Sequence, residues 1–444
     1  MQKTVAVLGG GIGGLSTCYH LSKSIQVSKV VLLEASGRCG GWVSTTRRED
    51  GAVFEHGPRG VRPAGTTGKY ILNMLTELGL ESEILPVPHH HVASKNRFLY
   101  VKGQLHKMPS GLGGVVRTIP PFSSPIMLSV LKEVLVSKGT QEDESVHAFV
   151  SRRLGSELAD IAIDALCRGV FAGDSRKLSV RSCFPPLYSA EKARGSILLG
   201  MLMGYEKRPP VVRSALLQRA QKERWAQWSL RRGMQALPEA LEETLRGHER
   251  VEVHYNAPVR RLDNTAADSL ARNHIYTSYL TVNTVRQDKL FVCSLCFQGF
   301  GHLVPSSEDR GLLGVVYDSV PFPEHNRAGE PTTRLTIMMG GSWFEEVFGQ
   351  PDHVTEQELL DRAAEALKTH LGITDAPLWS KAAVLKNCIP QYHLGHWKRL
   401  ETMRQYISDA SLPLSLAGAS YDGVSISDVI SSGRQAAERL LGKV

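Results

Sequence analysis

No apolar run of about eighteen residues or more occurs in this sequence, which leaves no candidate for a bilayer-crossing helix. Cysteine is scarce: seven residues, an odd number spread widely, do not make a disulfide framework. Cys293 and Cys296 are the only close pair, with no second pair to complete a zinc or redox motif. His89-His90-His91 lies beside Pro86 and Pro88 and reads as a solvated loop, so no metal site is expected. Aromatic residues make up 7% and do not interleave with basic ones as in RNA-binding modules, so nucleic acid is not expected as a partner. Lys and Arg give a net charge of +8 without long blocks. That balance suits acidic small molecules, an anionic membrane surface, or simply a solvated basic exterior. No Ser/His/Asp arrangement persuades as a triad. The chain opens directly on an apolar strand, so neither a signal peptide nor a cleavable leader is expected.

What is present starts at that strand. Thr4–Leu8 feeds into Gly9-Gly10-Gly11-Ile12-Gly13-Gly14, Leu15–Ser22 reads as helix, and Lys29–Leu33 is a second apolar run ending in Glu34. This is G-x-G-x-x-G in a strand–turn–helix–strand frame, with an acid twenty residues after the last glycine. Gly9 permits the turn, Gly11 admits a pyrophosphate, and Gly14 lets helix and strand pack closely. The helix start supplies free N–H groups to phosphate, and Glu34 suits a ribose diol. The stretch Arg38-Cys39-Gly40-Gly41-Trp42 follows, with Arg38 a candidate pyrophosphate partner. Phe54–Gly60 is a second glycine-bearing loop.

At 444 residues two or three domains are expected. Residues 70–80 show helical spacing with a glycine stop. Arg97–Val101 and Gln104–His106 read as a hairpin turning at Lys102-Gly103. Arg97 is a candidate carboxylate clamp or a plain surface arginine. Between Pro109 and Pro210 the composition shifts to short helical segments broken by Pro and Gly, at 125–136, 146–154, 158–166 and 197–202. The apolar residues around Met127–Leu131 and Ile197–Leu202 suit either a buried core or an exposed face on a membrane or channel. Trp225–Leu230 and 251–259 read as strands, and 236–245 as a helix. Residues 260–298 fit no regular sheet. Strands return at 301–304, 314–317 and 334–339, Glu356–Leu371 is an amphipathic helix, and 413–417 is a strand before Gly418 and a last helix from about Ser427.

These pieces resemble the protoporphyrinogen oxidases of the animal mitochondrial type, within the flavin amine-oxidase-like superfamily. The resemblance rests on Val7–Leu15, Gly57-Pro58-Arg59-Gly60, Asn96-Arg97-Phe98-Leu99-Tyr100, Leu166–Gly173, Ser182-Cys183-Phe184-Pro185, Gly299–Asp309, Asn387–Tyr392 and Leu416–Tyr421. It implies an α/β fold: a Rossmann-like FAD-binding domain, a mixed-sheet substrate domain and an inserted helical membrane-binding domain. The implied boundaries are 1–88, 211–262 and 381–444 for the FAD domain, 89–108 and 295–380 for the substrate domain, and 109–210 for the membrane-binding domain, with 263–294 atypical. It implies FAD as cofactor and the six-electron oxidation of protoporphyrinogen IX to protoporphyrin IX, with oxygen reduced to hydrogen peroxide. It implies a peripheral homodimer on the intermembrane-space side of the mitochondrial inner membrane.

By position in the family motifs, Arg97 holds a propionate, Phe300, Leu303 and Met338 pack on the macrocycle, and Gly301 lets the backbone approach it. Adenine-side and pyrophosphate contacts fall to Gly9, Gly10, Gly11, Ile12, Gly13, Gly14, Glu34, Ala35 and Trp42. Flavin-side contacts fall to Gly57, Pro58, Arg59, Gly60, Val259, Trp397, Val424, Ser425 and Ile426, with Arg59 also on the catalytic side. Asp263–Phe297 departs from the family pattern, and its expected consequence is a substrate domain missing central strands. The alternative reading is therefore an FAD-binding chain with impaired catalysis.

Overall fold

The structure, a computed structural model, describes residues 3–204, 214–260, 276–287, 298–329 and 332–442. Its strands are β1 (Lys3–Leu8), β2 (Val27–Leu33), β3 (Thr45–Arg47), β4 (Val53–Glu55), β5 (Ile84–Pro88), β6 (Phe98–Val101) and β7 (Gln104–Lys107). They continue with β8 (Trp225–Leu230), β9 (Val251–His254), β10 (Tyr276–Gln287), β11 (Gly301–Leu303), β12 (Leu312–Val316), β13 (Thr332–Gly341) and β14 (Trp379–Pro390). The chain divides into two compact units. One comprises Met1–His89, Pro209–His274 and Leu400–Val444; the other comprises His90–Arg208 and Ile275–Arg399.

The first unit is built on the parallel sheet β1-β2-β9. The helix Ile12–Ser22 crosses between β1 and β2, as the glycine pattern requires. Val7, Val30, Leu32 and Val251 are buried on one face of the sheet with Leu15, Leu21 and Leu237. The other face shows Thr4, Ala6 and Leu8 exposed, Leu8 at 47%. The helix over residues 70–80 is real but starts earlier, at Gly65, and ends at Glu77 before Gly79 (φ +68°). The final helix, Ile426–Leu440, lies against the first: a Cβ on Gly433 would meet the Gly13 carbonyl oxygen at 2.5 Å, so only glycine allows this approach. The expected strand at 413–417 does not form. Its backbone is tied to the final helix instead, Arg439 donating to the Leu416 carbonyl at 3.1 Å and the Gly418 N–H to Ser432 Oγ at 2.9 Å.

The second unit holds a seven-stranded mixed sheet in the order β14-β10-β13-β12-β11-β6-β7, with β11 and β6 parallel and the other pairs antiparallel. The β6–β7 hairpin turns at Lys102 (φ +52°) and Gly103 (φ +73°), as the sequence predicts. One sheet face packs Tyr100, Val315, Tyr317, Leu335, Ile337 and Met339 against the helix Glu356–Leu371. The sequence leaves residues 260–298 without a place in a sheet, whereas Tyr276–Gln287 forms β10 and pairs with both β13 and β14. The expected loss of central strands is not observed. The Tyr-Thr-Ser-Tyr-Leu-Thr-Val-Asn-Thr-Val run is rich in β-branched and aromatic residues, which favour an extended strand. Cys293, Cys296 and the apolar run ending at Phe297 lie outside the described residues. Residues 109–204 contribute short helices, among them Ile126–Glu133, Val146–Leu154, Asp164–Phe171 and Ile197–Met203; Leu158–Ile163, expected as α-helix, is a π-helical turn. No described helix is long and apolar enough to cross a membrane.

Candidate active site

In the first unit the glycine turn combines one crowded position with two open ones. Gly9 has φ +95°, and its N–H donates to Leu33 O at 2.8 Å. A Cβ on Gly14 would sit 1.9 Å from Gly9 O, whereas one on Gly9 or Gly11 would meet nothing within 4 Å. The crowded glycine is therefore a packing requirement, and the two open ones face space. The helix starting at Ile12 has Gly11 as its N-cap, no capping side chain and no acid in its first turn. Its first N–H groups and positive dipole end are thus left to a ligand.

Glu34 stands at the end of β2. Its carboxylate accepts from the Gly10 N–H at 2.6 Å and from the Ser36 N–H and Oγ at 2.7 Å each. Partial burial works to raise its pKa, but those hydrogen bonds and the nearby Arg38 outweigh it and hold the carboxyl below its ordinary range. It stays ionised and able to accept from a ribose diol. Arg38 differs from its expected role. Its guanidinium donates to Cys39 O (3.0 Å) and Gly41 O (2.5 Å), so it braces its own loop. Ala35 and Trp42 are exposed, Trp42 at 46%.

The loop Gly57–Gly60 is half-buried except for Pro58, which is exposed. Gly57 packs on Trp42: a Cβ would lie 2.1 Å from Trp42 O. Reciprocal hydrogen bonds between Val61 and Trp228 (2.8 and 2.9 Å) pin the far end of the loop. Arg59 is half-buried and engaged, and Val259 is 43% exposed. At the final helix, Ser425 caps the start and is joined to Asp428 at 2.6 Å. The Ser425 hydroxyl accepts the Asp428 N–H at 3.2 Å, so one of the free donors at that helix start is met by the chain's own side chain.

In the second unit the structure brings four predicted residues together. Phe300, Leu303 and Met338 share one apolar cluster with Ala172, Leu313 and Val316. Arg97 is exposed and lies over the Phe300 ring at 5.0 Å. Gly301 has φ +148°, but its Cβ direction points at β12, where Val315 O would be 2.2 Å away. Strand packing, not ring approach, demands glycine there. A Cβ on Gly169 would likewise meet Leu303 Cδ2 at 2.5 Å. Trp397 lies in this unit, stacked with Arg181 at 3.5 Å.

Residues 12–275 and 280–441 match the family described as flavin containing amine oxidoreductase. The chain belongs to the flavin-containing amine oxidoreductases. It is 46% identical over 474 residues to the protoporphyrinogen oxidase of Homo sapiens, covering 100% of this chain and 99% of the relative. It is 30% identical to the protoporphyrinogen oxidase of Schizosaccharomyces pombe, over 98% of each chain. A solved structure from Exiguobacterium sp. 255-15 superimposes with a TM-score of 0.76 at 21% identity, covering 100% of both chains; this likeness shows the fold. The cofactor of this oxidoreductase is FAD. The uncapped helix start, the open space at Gly9 and Gly11 and the ionised Glu34 fit its ADP half.

Three groups in this oxidoreductase escape a reading by motif alone. Glu55, 6% exposed, accepts from the Met234 N–H at 2.6 Å and Thr45 Oγ1 at 2.8 Å, joining the β3–β4 hairpin to the turn after β8. Arg168 is fully buried and donates to the carbonyls of Val304, Asp309, Arg310 and Leu312. Burial pulls its pKa down to about 10, against the pull of Asp164, Asp309 and Asp174, so it remains cationic. The third is His302, between Gly301 and Leu303. Its signal was its place: a polar residue alternating with residues assigned to the opposite face of one strand. Among the described residues no group of His, Cys, Asp and Glu suits a metal ion.

Proposed function

We propose that this chain oxidises protoporphyrinogen IX to protoporphyrin IX in haem synthesis, with oxygen as the final acceptor and hydrogen peroxide as co-product. The observation that carries this is full-length identity of 46% to human protoporphyrinogen oxidase. The site chemistry supports it. A tetrapyrrole is a wide apolar ring bearing carboxylates, so it needs an apolar wall with a cation at its edge. Phe300, Leu303 and Met338 supply the wall, and Arg97 stands on Phe300 with its planar fork suited to bidentate carboxylate binding. Stacking on the ring fixes the guanidinium before substrate arrives, which lowers the entropy lost on binding. The first helix holds the pyrophosphate at its free N–H groups, and Glu34 holds the ribose. When bound, FAD supplies the hydride acceptor and the route to oxygen. Purified holoenzyme given protoporphyrinogen IX in air is expected to develop porphyrin fluorescence with three peroxides formed per porphyrin. A turnover without peroxide points to another acceptor.

Residues 109–210 would then serve membrane attachment, on the mitochondrial inner membrane as a peripheral homodimer facing the intermembrane space. An apolar surface supports the attachment: Leu128, Leu131 and Leu135 on and after one helix, Met201, Leu202 and Met203 on another, with Leu135 at 86% and Leu202 at 74% exposure. A buried ion network fixes both helices. Arg153 contacts Glu133 at 3.2 Å and Glu191 at 2.7 Å, while Glu133 accepts from Ser196 Oγ at 2.6 Å and the Ile197 N–H at 2.8 Å. A second reading, an FAD-binding chain with impaired turnover, is favoured by two observations. The 474 aligned positions exceed the 444 residues present, and the outer face of β1 stays exposed.

A further inference from the structure

Behind the wall formed by Phe300 and Leu303, on the opposite face of the same strand, lies a polar chain that the reaction does not use. His302 is 2% exposed within an apolar core of Val304, Val315, Leu335 and Ile337. Its Nδ1 is 2.8 Å from Tyr317 Oη, and its Nε2 is 3.0 Å from His370 Nδ1. The Tyr100 ring stacks on His370 with centroids 3.5 Å apart and planes at 12°. Four elements therefore meet at one imidazole: β6 through Tyr100, β11 through His302, the residue after β12 through Tyr317, and the last turn of the helix Glu356–Leu371 through His370. β6 and β11 are the strands that Arg97, Phe300, Gly301 and Leu303 begin or occupy, paired as His302 with Phe98 and Leu303 with Leu99. The helix is held to the loop after β11 a second time by the ion pair of Arg362 and Asp309. Arg362 and Asp309 are also the charged groups acting on His370.

A buried imidazole is tolerated only if both nitrogens are satisfied. An N···N contact further requires that one ring donate and the other accept. The chain thus has two allowed directions. In one, Tyr317 donates to His302 and His302 to His370, and both rings carry the proton on Nε2. In the other, both carry it on Nδ1. Either way, a shift of β11 along its neighbours would break a hydrogen bond at each end.

We propose that the Tyr317–His302–His370 chain is a positioning device that fixes β11, and with it Phe300 and Leu303, at the depth where the wall receives the tetrapyrrole. This rests on the reading of Arg97, Phe300 and Leu303 as the substrate wall. The test uses the FAD-loaded full chain with ¹⁵N-labelled histidine. The two rings are expected to show the same neutral tautomer and a coupling across the N–H···N bond, lost in His370→Phe. That variant keeps a ring for Tyr100 to stack on but removes the hydrogen bond. It is expected to raise KM about five-fold with kcat within about two-fold, and His370→Asn, which restores a donor and acceptor near Nδ1, is expected to bring KM back within about two-fold. Opposite tautomers or no coupling in the wild type overturns the proposal even if a variant fails to fold. So does an unchanged KM in a folded, flavin-loaded His370→Phe. Failure of the wall reading has a different mark: Arg97→Ala then leaves KM unchanged.

Discussion

At Gly14 a single methyl group decides whether the nucleotide turn exists. A Cβ there would fall 1.9 Å from the Gly9 carbonyl, and backbone on both sides leaves nothing to yield. Gly14→Ala is therefore expected to abolish FAD retention on gel filtration, whereas a Gly11 substitution acts through the space it takes from the ligand and a Gly9 substitution through its φ of +95°. Arg97 works differently, because its charge and not its volume carries the role. Arg97→Ala removes a charge-assisted contact worth roughly 1.5–3 kcal/mol, so KM for the dicarboxylate substrate is expected to rise about ten-fold or more with flavin content unchanged. Steady-state kinetics on both proteins checks it. Motif spacing singled out Gly14, whereas the place of Arg97 before an apolar strand left a carboxylate clamp and a plain surface arginine equally open, and its propionate role came from the family resemblance. The reason Gly301 must be glycine was not legible in the sequence, since it depends on how closely β12 approaches in space. Nor was the diversion of Arg38 to the carbonyls of its own loop, which no spacing rule encodes.

The elements with a strong local signal were readable. The helix Glu356–Leu371 has a Thr355/Glu358 capping box at one end and Gly372 (φ +68°) at the other, and it lies where periodicity puts it. The β6–β7 hairpin announced itself by Lys102-Gly103. What failed were segments whose partner is distant. Residues 413–417 have strand composition, but the Leu416 carbonyl accepts from Arg439 on the final helix, and Ser432 of that helix holds the adjacent Gly418 N–H. β10 was missed because its neighbours β13 and β14 come later in the chain, 45 or more residues on from its end. The buried His302 gives β11 a measurable pH dependence. Burial first, and then His370, push its pKa from 6.5 down to about 3. Unfolding lets it take a proton below pH 6.5 that the native state refuses, so its contribution is complete above that pH and falls as pH drops toward 3. The loss is about 1.4 kcal/mol per pH unit in that window. The thermal midpoint is expected to fall between pH 7 and pH 5, less steeply in His302→Asn, when followed by circular dichroism.

Across the whole molecule, the second unit displays an apolar surface that does not serve its own core. Within that surface Ile197 and Leu199 are half-buried, whereas Leu131 and Leu202 are 55% and 74% exposed. Leu131→Asp with Leu202→Asp is expected to release the protein from liposomes in sedimentation while flavin content is retained; continued sedimentation with the vesicles would assign those side chains to another contact. This chain, at 444 residues against the 474 positions of its alignment to the human relative, is expected still to deliver a tetrapyrrole's electrons to its flavin. Mixing the FAD-loaded protein with protoporphyrinogen IX under strictly anaerobic conditions measures that step directly. The oxidised flavin absorbance is expected to be lost and to return on admitting oxygen. An oxidised flavin that stays yellow while firmly bound would contradict it.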